Sequence, residues 1–588
     1  MADLLAIVSH HRGSALEPGA MQAFVATYES LRGTPASSED NANEWAAVHV
    51  LDHVRPAGVG IEREAAGWTA WAGSPASPIA PGAALEQLDG QFALARLGAD
   101  DVLTVATDPL GLKPLFAAER EGRTYVASSA LVLAKHLRLQ PSQAGLEAFL
   151  RTGNQIGRLT PWQGLARLCP GEAIAFAPTG RRSRTYWQPE VDGRIRGLPF
   201  AEAAAECDAT AVAALASPYR AERPWLDLTG GFDTRLLALA ASRGGVDFLA
   251  NTSGDGEEED TILAQRIAAT AGWEWSRFGL PADWDEQLAQ RAGAAVAWGD
   301  CHLDALPLAE VMFGHERKSE AGTLLLNGGG GEHFRDYAWG HELLRAGRSS
   351  TVSFERLIAW RVLGPVDLSA LREDPTATVA AAVRGELEAR VKPFSSKPNT
   401  FQDDLLYAFK ATGHFGAYQA VAAASLHMEL PFYSRAVFTA AISAAPRQRA
   451  YHRLMREMIF RLDPAIAAIQ TETGGPAEPL RLANLHRFAP YPWRRGKRFA
   501  GRLRGRLAPS RPGPPSPRVA ARGALVAGLR AEGRLDPGRM RSAALYDPSR
   551  LEALLARAAA EPAAVDWNGL GRIVTVELAL EAVDAGLG

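Results

Sequence analysis

Apolar positions fall into two regimes along this chain. Up to about residue 190, short apolar runs alternate with Gly, Pro and Asp turns, the pattern of layered strands with few long helices. Leu4–Val8, Ala46–Leu51, Phe92–Leu97, Val102–Ala106 and Arg123–Ala127 are the predicted strands. From about Pro199, Ala-rich stretches of helical length are separated by short apolar strands, the alternation of a parallel sheet flanked by helices. Phe200–Ala216 reads as the first of those helices. Pro224–Leu228 reads as a buried strand, Leu236–Ala240 as a helix stopped by Gly244-Gly245, Val246–Thr252 as a strand and Thr261–Thr270 as a helix. Residues 402–445 read as helical with a break at Pro431, and Ala524–Leu587 as closing helices.

With 588 residues and 47% apolar composition, the chain has material for two large domains, set here at 1–190 and 195–588. A net charge of −3 gives no electrostatic case for nucleic acid or an acidic membrane as partner. Cys169, Cys207 and Cys301 are widely spaced, with no zinc or C-x-x-C pattern, and fit a reducing compartment. No apolar run is long enough to span a bilayer and the start lacks a charged leader, so a soluble, cytoplasmic protein is expected. Trp493 to Arg511 holds many arginines and no acid, and Pro509 to Pro517 is proline-rich, so 493–518 is expected to be a mobile basic segment.

Two glycine-rich loops carry the candidate chemistry. Leu228-Thr229-Gly230-Gly231-Phe232-Asp233-Thr234 joins a strand to a helix start, which exposes backbone N–H groups at the positive end of a helix dipole. Gly230 and Gly231 let backbone approach an anion, Thr229 and Thr234 add hydroxyls, and Asp233 offers a carboxylate for Mg²⁺. The second loop, Asn327-Gly328-Gly329-Gly330-Gly331-Glu332-His333, follows the strand Thr323–Leu326. Four successive glycines cost backbone entropy, and close approach of backbone to a ligand is the reason expected for them.

The first loop resembles the pyrophosphate loop Ser-Gly-Gly-x-Asp-Ser of the asparagine-synthetase-like ATP pyrophosphatases. The second is similar to that family's Ser-Gly-Glu-Gly-x-Asp-Glu loop, with Asn327 and Gly328 for Ser-Gly, Gly329 for its first Glu, Glu332 for the metal-binding Asp and His333 for the last acid. Leu426–Ser434 resembles Ile-Glu-Ala-Arg-Val-Pro-Phe-Leu-Asp, placing Glu429 where the family has Arg. Arg447–Glu457 resembles a Lys-x-x-Lys-x-x-Leu-Arg run, with Arg449 on the phosphate-contacting Lys. Asp89-Gly90-Gln91-Phe92, Asp108–Leu115 and Ser128-Ser129 resemble pieces of the family's N-terminal glutaminase domain. Ala2 stands where those glutaminases have their nucleophilic cysteine.

The resemblance implies an N-terminal αββα Ntn-hydrolase-like domain without glutaminase chemistry. It implies a C-terminal PP-loop domain of the adenine-nucleotide α-hydrolase-like kind, with helical elaborations. The implied activity is ATP- and Mg²⁺-dependent amide ligation through an acyl-adenylate, on a small-molecule or peptide substrate. Macrolactam formation on a lasso-type precursor peptide, handled beside its protease, is the form expected. An ammonia-dependent asparagine synthetase, a β-lactam synthetase-like enzyme and a catalytically silent scaffold are the alternatives. Leu228, Thr229, Gly230, Gly231, Asp233, Thr234, Asn251, Asn327 and Gly328 would hold ATP and its pyrophosphate, and Asn251 would lie at the strand end that faces adenine in the family. Asp233 and Glu332 would hold the metal. Arg449 would offset charge at the α-phosphate, Glu429 and Glu332 would act at the reacting groups, and His333 is the lesser candidate for a base, set against a polar surface position at a helix start. Some of the acids Glu257–Asp260 would sit near the nucleotide or cap the helix after them. The sequence leaves the oligomeric state open.

Overall fold

The computed structural model describes residues 2–9, 15–54, 60–64, 67–80, 82–155, 157–177, 180–216, 223–335, 358–359, 361–390, 412–472, 475–489 and 515–587. Most of the basic segment expected at 493–518, and 402–411 of the expected helical stretch, lie outside these residues.

The N-terminal part is built on two six-stranded antiparallel sheets. The first contains β1 (Asp3–Ser9), β2 (Ser37–Ala42), β3 (Ala46–Asp52), β8 (Phe116–Arg120), β9 (Arg123–Ala127) and β10 (Leu165–Arg167), in the order β10-β8-β9-β1-β3-β2. The second contains β4 (Gly60–Glu64), β5 (Gly67–Pro75), β6 (Gly90–Leu97), β7 (Leu103–Thr107), β11 (Glu172–Ala177) and β12 (Gly180–Thr185), in the order β12-β11-β7-β6-β5-β4. All seven residues of β1 are buried because both its faces are covered. Leu4, Ala6 and Val8 pack between the sheets with Val48, Val50, Ala70 and Ala95. Leu5 and Ile7 face Phe24 and Tyr28 of helix α1 (Ala20–Arg32). The alternation of side chains along a strand delivers that split.

On the outer face of the second sheet, Phe92, Leu94 and Ala106 are covered by Ile79, Leu85, Leu88 and Tyr186, from loops and one 3₁₀ turn. No helix of this part belongs to that cluster among the described residues.

The C-terminal part holds a five-stranded parallel sheet: β13 (Trp225–Asp227), β14 (Leu249–Ser253), β15 (Trp275–Phe278), β16 (Leu324–Leu326) and β17 (His427–Glu429). Helix α2 (Phe200–Ala216) precedes β13 and α3 (Asp233–Arg243) follows it, while α4 (Glu259–Ala271) follows β14. The strand His427–Glu429 corrects the expectation of continuous helix there. Its three buried residues pair in register with Leu324–Leu326, a contact made about a hundred residues away along the chain.

The strand order is β15-β14-β13-β16-β17. The chain winds outward from β13 through β14 to β15, then returns to the other side of β13 as β16. In open parallel sheets such a reversal opens a crevice at the carboxyl ends of the two central strands. The loops 228–232 and 327–331 leave from those ends.

Candidate functional site

The two loops meet directly. A Cβ built on Gly328 would lie 2.9 Å from the Thr234 nitrogen, and one on Gly331 would lie 2.7 Å from the Asp233 Cβ. The remaining glycines are equally confined: Gly329 abuts Phe415 and Leu430, and Gly330, at φ +94°, abuts Phe432 and Tyr433. The close approach is loop to loop and loop to aromatic wall, and it brings the second loop onto the start of α3.

Within the first loop, backbone donors are held by side chains. Thr229 donates its N–H to Thr234 Oγ1 at 3.0 Å, and Gly231 donates to Thr229 Oγ1 at 3.1 Å. Gly230 donates to Asp260 Oδ1 at 3.0 Å, so one acid of the Glu257–Asp260 run does sit on the loop. Burial raises the Asp260 pKa, and the carboxylates of Glu258 and Glu259 add to that. Asp233 accepts two hydrogen bonds from the Arg335 guanidinium, from Nε at 3.1 Å and from Nη2. Arg235, fully buried, ties the loop to its floor through the carbonyls of Gly230, Ile466, Ile469 and Gln470.

In the second loop, Asn327 Nδ2 donates to Asp227 at 2.8 Å and its Oδ1 accepts the Gly329 N–H at 2.9 Å. Lys318 completes the anchor at 2.8 Å from Asp227. Burial opposes the charge on Asp227, but Lys318 and Asn327 hold its pKa below the usual carboxylate range. Glu332 accepts the Gly330 N–H at 2.8 Å. Glu429 lies buried on β17, and its backbone carbonyl accepts the Asn327 N–H at 2.9 Å. Arg449, also buried, donates Nη1 to the His333 carbonyl at 3.1 Å and so braces the second loop from behind.

Two polar groups stand out. Asn251 is fully buried in the middle of β14, in register with Asp227, and among the described residues neither its Oδ1 nor its Nδ2 has a partner. The Tyr433 hydroxyl is likewise buried without a partner among the described residues. Burial, and then the carboxylates of Glu332 and Asp233, push its pKa well above the ordinary phenol value. Unsatisfied buried groups of this kind cost about 1–3 kcal/mol each, so a compact protein retains few of them. Tyr433→Phe is therefore expected to leave the melting temperature unchanged or raised. It is also expected to lower turnover by about tenfold, which corresponds to about 1.4 kcal/mol. Scanning calorimetry and an initial-rate assay check the two halves.

His333 is not a surface position. It is buried against Phe438 and Tyr433, and burial, reinforced by Arg449, lowers its pKa to about 3. His315 is similarly lowered to about 3 by burial and Lys318. A neutral imidazole of that basicity is no base for chemistry near pH 7. The folded state refuses protons that the unfolded state accepts below about pH 6.5, so stability falls as pH drops from there toward 3. Between pH 7 and 5, His333→Phe is expected to lose about 1–2 kcal/mol less stability than the wild type, from urea midpoints at the two pH values.

The N-terminal sheets grip the segment that walls this site. Gln91 donates to the Leu430 carbonyl at 2.6 Å and accepts its N–H at 3.3 Å. Asp89 accepts the Arg435 N–H at 2.6 Å, at the start of the helix Arg435–Ser443, and Asp52 contacts His427 at 3.2 Å.

Residues 81–187 match the glutamine amidotransferase domain family. A glutamine-amidotransferase-type domain therefore occupies this part of the chain. Its Asp108 turn is structural: the carboxylate accepts N–H groups from Leu110, Gly111, Leu112 and Lys113, and Lys113 then reaches Asp3 at 3.0 Å. No curated protein matches the chain. Among solved structures, it is similar to the glutamine phosphoribosylpyrophosphate amidotransferase of B. subtilis complexed with ADP and GMP. That match has 13% identity, 48% of this chain and 70% of that one, and a TM-score of 0.22. A structure titled as the allosteric regulatory enzyme of purine biosynthesis matches at 11% identity over 47% of this chain and 80% of that one, with a TM-score of 0.23. No helix among the described residues is long and apolar enough to cross a membrane.

Sequence reasoning missed Asp227, Lys318, Arg335 and Tyr433. Asp227 was visible as an acid between Leu226 and Leu228 in an apolar strand. The other three carry no local signal.

Proposed function

We propose that this chain is an ATP-dependent carbon–nitrogen ligase of the asparagine-synthetase-like kind, with a PP-loop domain formed on the parallel sheet. The observation that carries the reading is the reversal of strand order at β13 and β16, which seats the Thr-Gly-Gly-Phe-Asp-Thr loop against the Gly-rich loop. Thr229, Gly230, Gly231 and Thr234 would cradle the pyrophosphate of ATP. The amide of Asn251 on the neighbouring strand, without a partner among the described residues, fits a hydrogen-bonding edge such as adenine. Among the described residues no group of three or more His, Cys, Asp or Glu side chains could hold a metal ion. Phosphate-bound Mg²⁺ takes only one or two protein carboxylates, and Asp233 with Glu332, whose neighbour Gly331 lies against the Asp233 Cβ, fit that count. The ion would neutralise charge on the phosphates.

In this reading a substrate carboxylate attacks the α-phosphate, pyrophosphate leaves along the first loop, and an amine displaces AMP. Arg449 holds positive charge behind the second loop, and Glu429 offers a carboxylate on the amine side. Gly329 and Glu429 stand where aspartate-using relatives have Glu and Arg, so the acceptor is expected to differ from aspartate. Closure of an amide within one molecule, as a macrolactam on a peptide or as a β-lactam, is the form proposed. The amidotransferase-type domain then serves as a brace, through Asp52, Asp89 and Gln91, rather than as a source of ammonia.

A second reading, a silent scaffold, is favoured by two contacts: Arg335 holds Asp233, and Asp260 holds the Gly230 N–H. ATP–pyrophosphate exchange with a panel of small carboxylic acids and short peptides separates them. Carboxylate-dependent label in ATP is expected. Absence of exchange together with absence of Mg·ATP binding would establish the scaffold.

A further inference from the structure

One ion pair of the parallel sheet takes no part in holding nucleotide or metal. Asp227 ends β13 between Leu226 and Leu228, and its Oδ1 accepts from the Lys318 ammonium at 2.8 Å. Lys318 stands in the helix Ala305–Ser319 with only 4% of its side chain exposed. Lysine is almost never enclosed to that degree unless it is paired. The other oxygen of the same carboxylate, Oδ2, accepts Nδ2 of Asn327 at 2.8 Å. The amide oxygen of Asn327 then accepts the Gly329 N–H at 2.9 Å. One chain of hydrogen bonds thus runs from Lys318 through Asp227 and Asn327 to the backbone of the second loop.

The direction of each bond in that chain follows from its chemistry. The two ends of an amide side chain have nearly the same shape, but one donates and the other accepts. An ionised carboxylate only accepts, so it draws Nδ2 to its own side and leaves Oδ1 for Gly329. A protonated Asp227 would offer a donor of its own and remove that preference. Burial favours the protonated form, but Lys318 outweighs it and keeps the charge on Asp227. The far end of the chain bears on the first loop. Gly328 packs against the Thr234 nitrogen and Gly331 against the Asp233 Cβ, and close packing of this kind transmits displacement.

We propose that Lys318 and Asp227 are positioning residues: they fix the Asn327 amide and, through the Gly329 N–H, set the second loop against Asp233 and Thr234. The hydrogen-bond chain stands on geometry alone; its consequence for nucleotide chemistry rests on the ligase reading. Misplacement of reacting groups by about 1 Å, caused by a remote change, can cost about a hundredfold in rate.

The test uses the full chain and two double variants. Lys318→Met with Asp227→Leu removes both charges together, so no uncompensated charge is left behind. Lys318→Met with Asp227→Asn also removes both charges but keeps an oxygen that Asn327 Nδ2 can reach. Melting temperature, deuterium uptake by the peptide Leu324–Phe334 without nucleotide, and ATP–pyrophosphate exchange are measured on each. Both variants are expected to melt near the wild type. In the first, uptake at the loop is expected to quicken by about tenfold and ATP–pyrophosphate exchange to fall by about tenfold or more, and the second is expected to recover most of both losses. If the first variant does not fold, Asn327→Ala breaks the chain one step later and is expected to give the same two losses. Unchanged uptake in the first variant or in Asn327→Ala, or equal losses in the two double variants, would overturn the proposal. A loop that loosens as expected, in a protein whose wild type shows no ATP–pyrophosphate exchange, keeps the positioning assignment and loses the ligase reading.

Discussion

Replacing Asp233 by asparagine is expected to lower ATP–pyrophosphate exchange by about 10²–10³-fold, the range seen when one preorganised charge-stabilising group is removed from an active site. The side chain starts α3 beside the first loop, its Cβ lies against Gly331, and its carboxylate is held by Arg335. Asparagine keeps the shape and a helix-start acceptor but not the charge, so folding is expected to change little. The ion pair with Arg335 has side-chain exposures of 14% and 19%, and the asparagine carbonyl can still accept a hydrogen bond from that guanidinium. Arg335 and a metal would compete for the same carboxylate oxygens. Arg335→Gln is therefore expected to tighten Mg²⁺ dependence while Asp233→Asn abolishes it, and equal loss in both variants would show that Arg335 itself contacts phosphate.

The largest expected effect on stability lies elsewhere, at Arg32. Its guanidinium is buried between the two halves of the chain, donating to Asp3 at 2.7 Å, to the carbonyls of Ala297 and Trp298 at 2.9 and 3.2 Å, and to Asp300 at 3.3 Å. Asp3 also meets Lys113, Ser128 and Tyr28. Asp300 in turn accepts the N–H groups of Ala130 and Leu131 at the start of the helix Ala130–Leu137. Removing one partner of such a pair leaves uncompensated buried charge, so Arg32→Ala is expected to cost about 3–5 kcal/mol, read from urea or thermal unfolding.

The pH dependence gives that prediction a second edge. Burial pushes the Asp3 pKa up, but Lys113 and Arg32 outweigh it and hold the group well below the usual carboxylate range. Its contribution is thus present above about pH 4, where the unfolded carboxyl ionises, and is lost as pH falls further. In Arg32→Ala the same carboxyl gains a proton more readily, so the gap from the wild type narrows in acid. A constant gap from pH 7 to 3 would show that Arg32 acts by packing alone.

Local pattern carried the scaffold of this molecule, and tertiary contact decided the rest. Runs such as Leu4–Val8 and Phe92–Leu97 were legible as strands because each is apolar, short and bounded by turn residues, and helix Phe200–Ala216 was legible at both ends. The strand His427–Glu429 was not, since three residues bonded to Leu324–Leu326 have no periodicity of their own. The two loops were legible by composition, but what packs against the glycines, Asp233, Thr234, Phe415 and Phe432, comes from distant parts of the chain and was not. His333 was taken for an exposed or catalytic group because burial between Tyr433 and Phe438 is invisible in sequence. Arg335, like Asp260, matters through a partner on another strand or loop.

The central claim is that the two loops jointly hold the triphosphate of ATP, and calorimetric titration of the full chain with Mg·ATP measures that most directly. Saturable binding in the wild type, weakened by about a hundredfold in Asp233→Asn with the melting temperature preserved, is the result predicted here, a difference of about 2.8 kcal/mol. Binding of equal strength in the two proteins, or none in either, would contradict it.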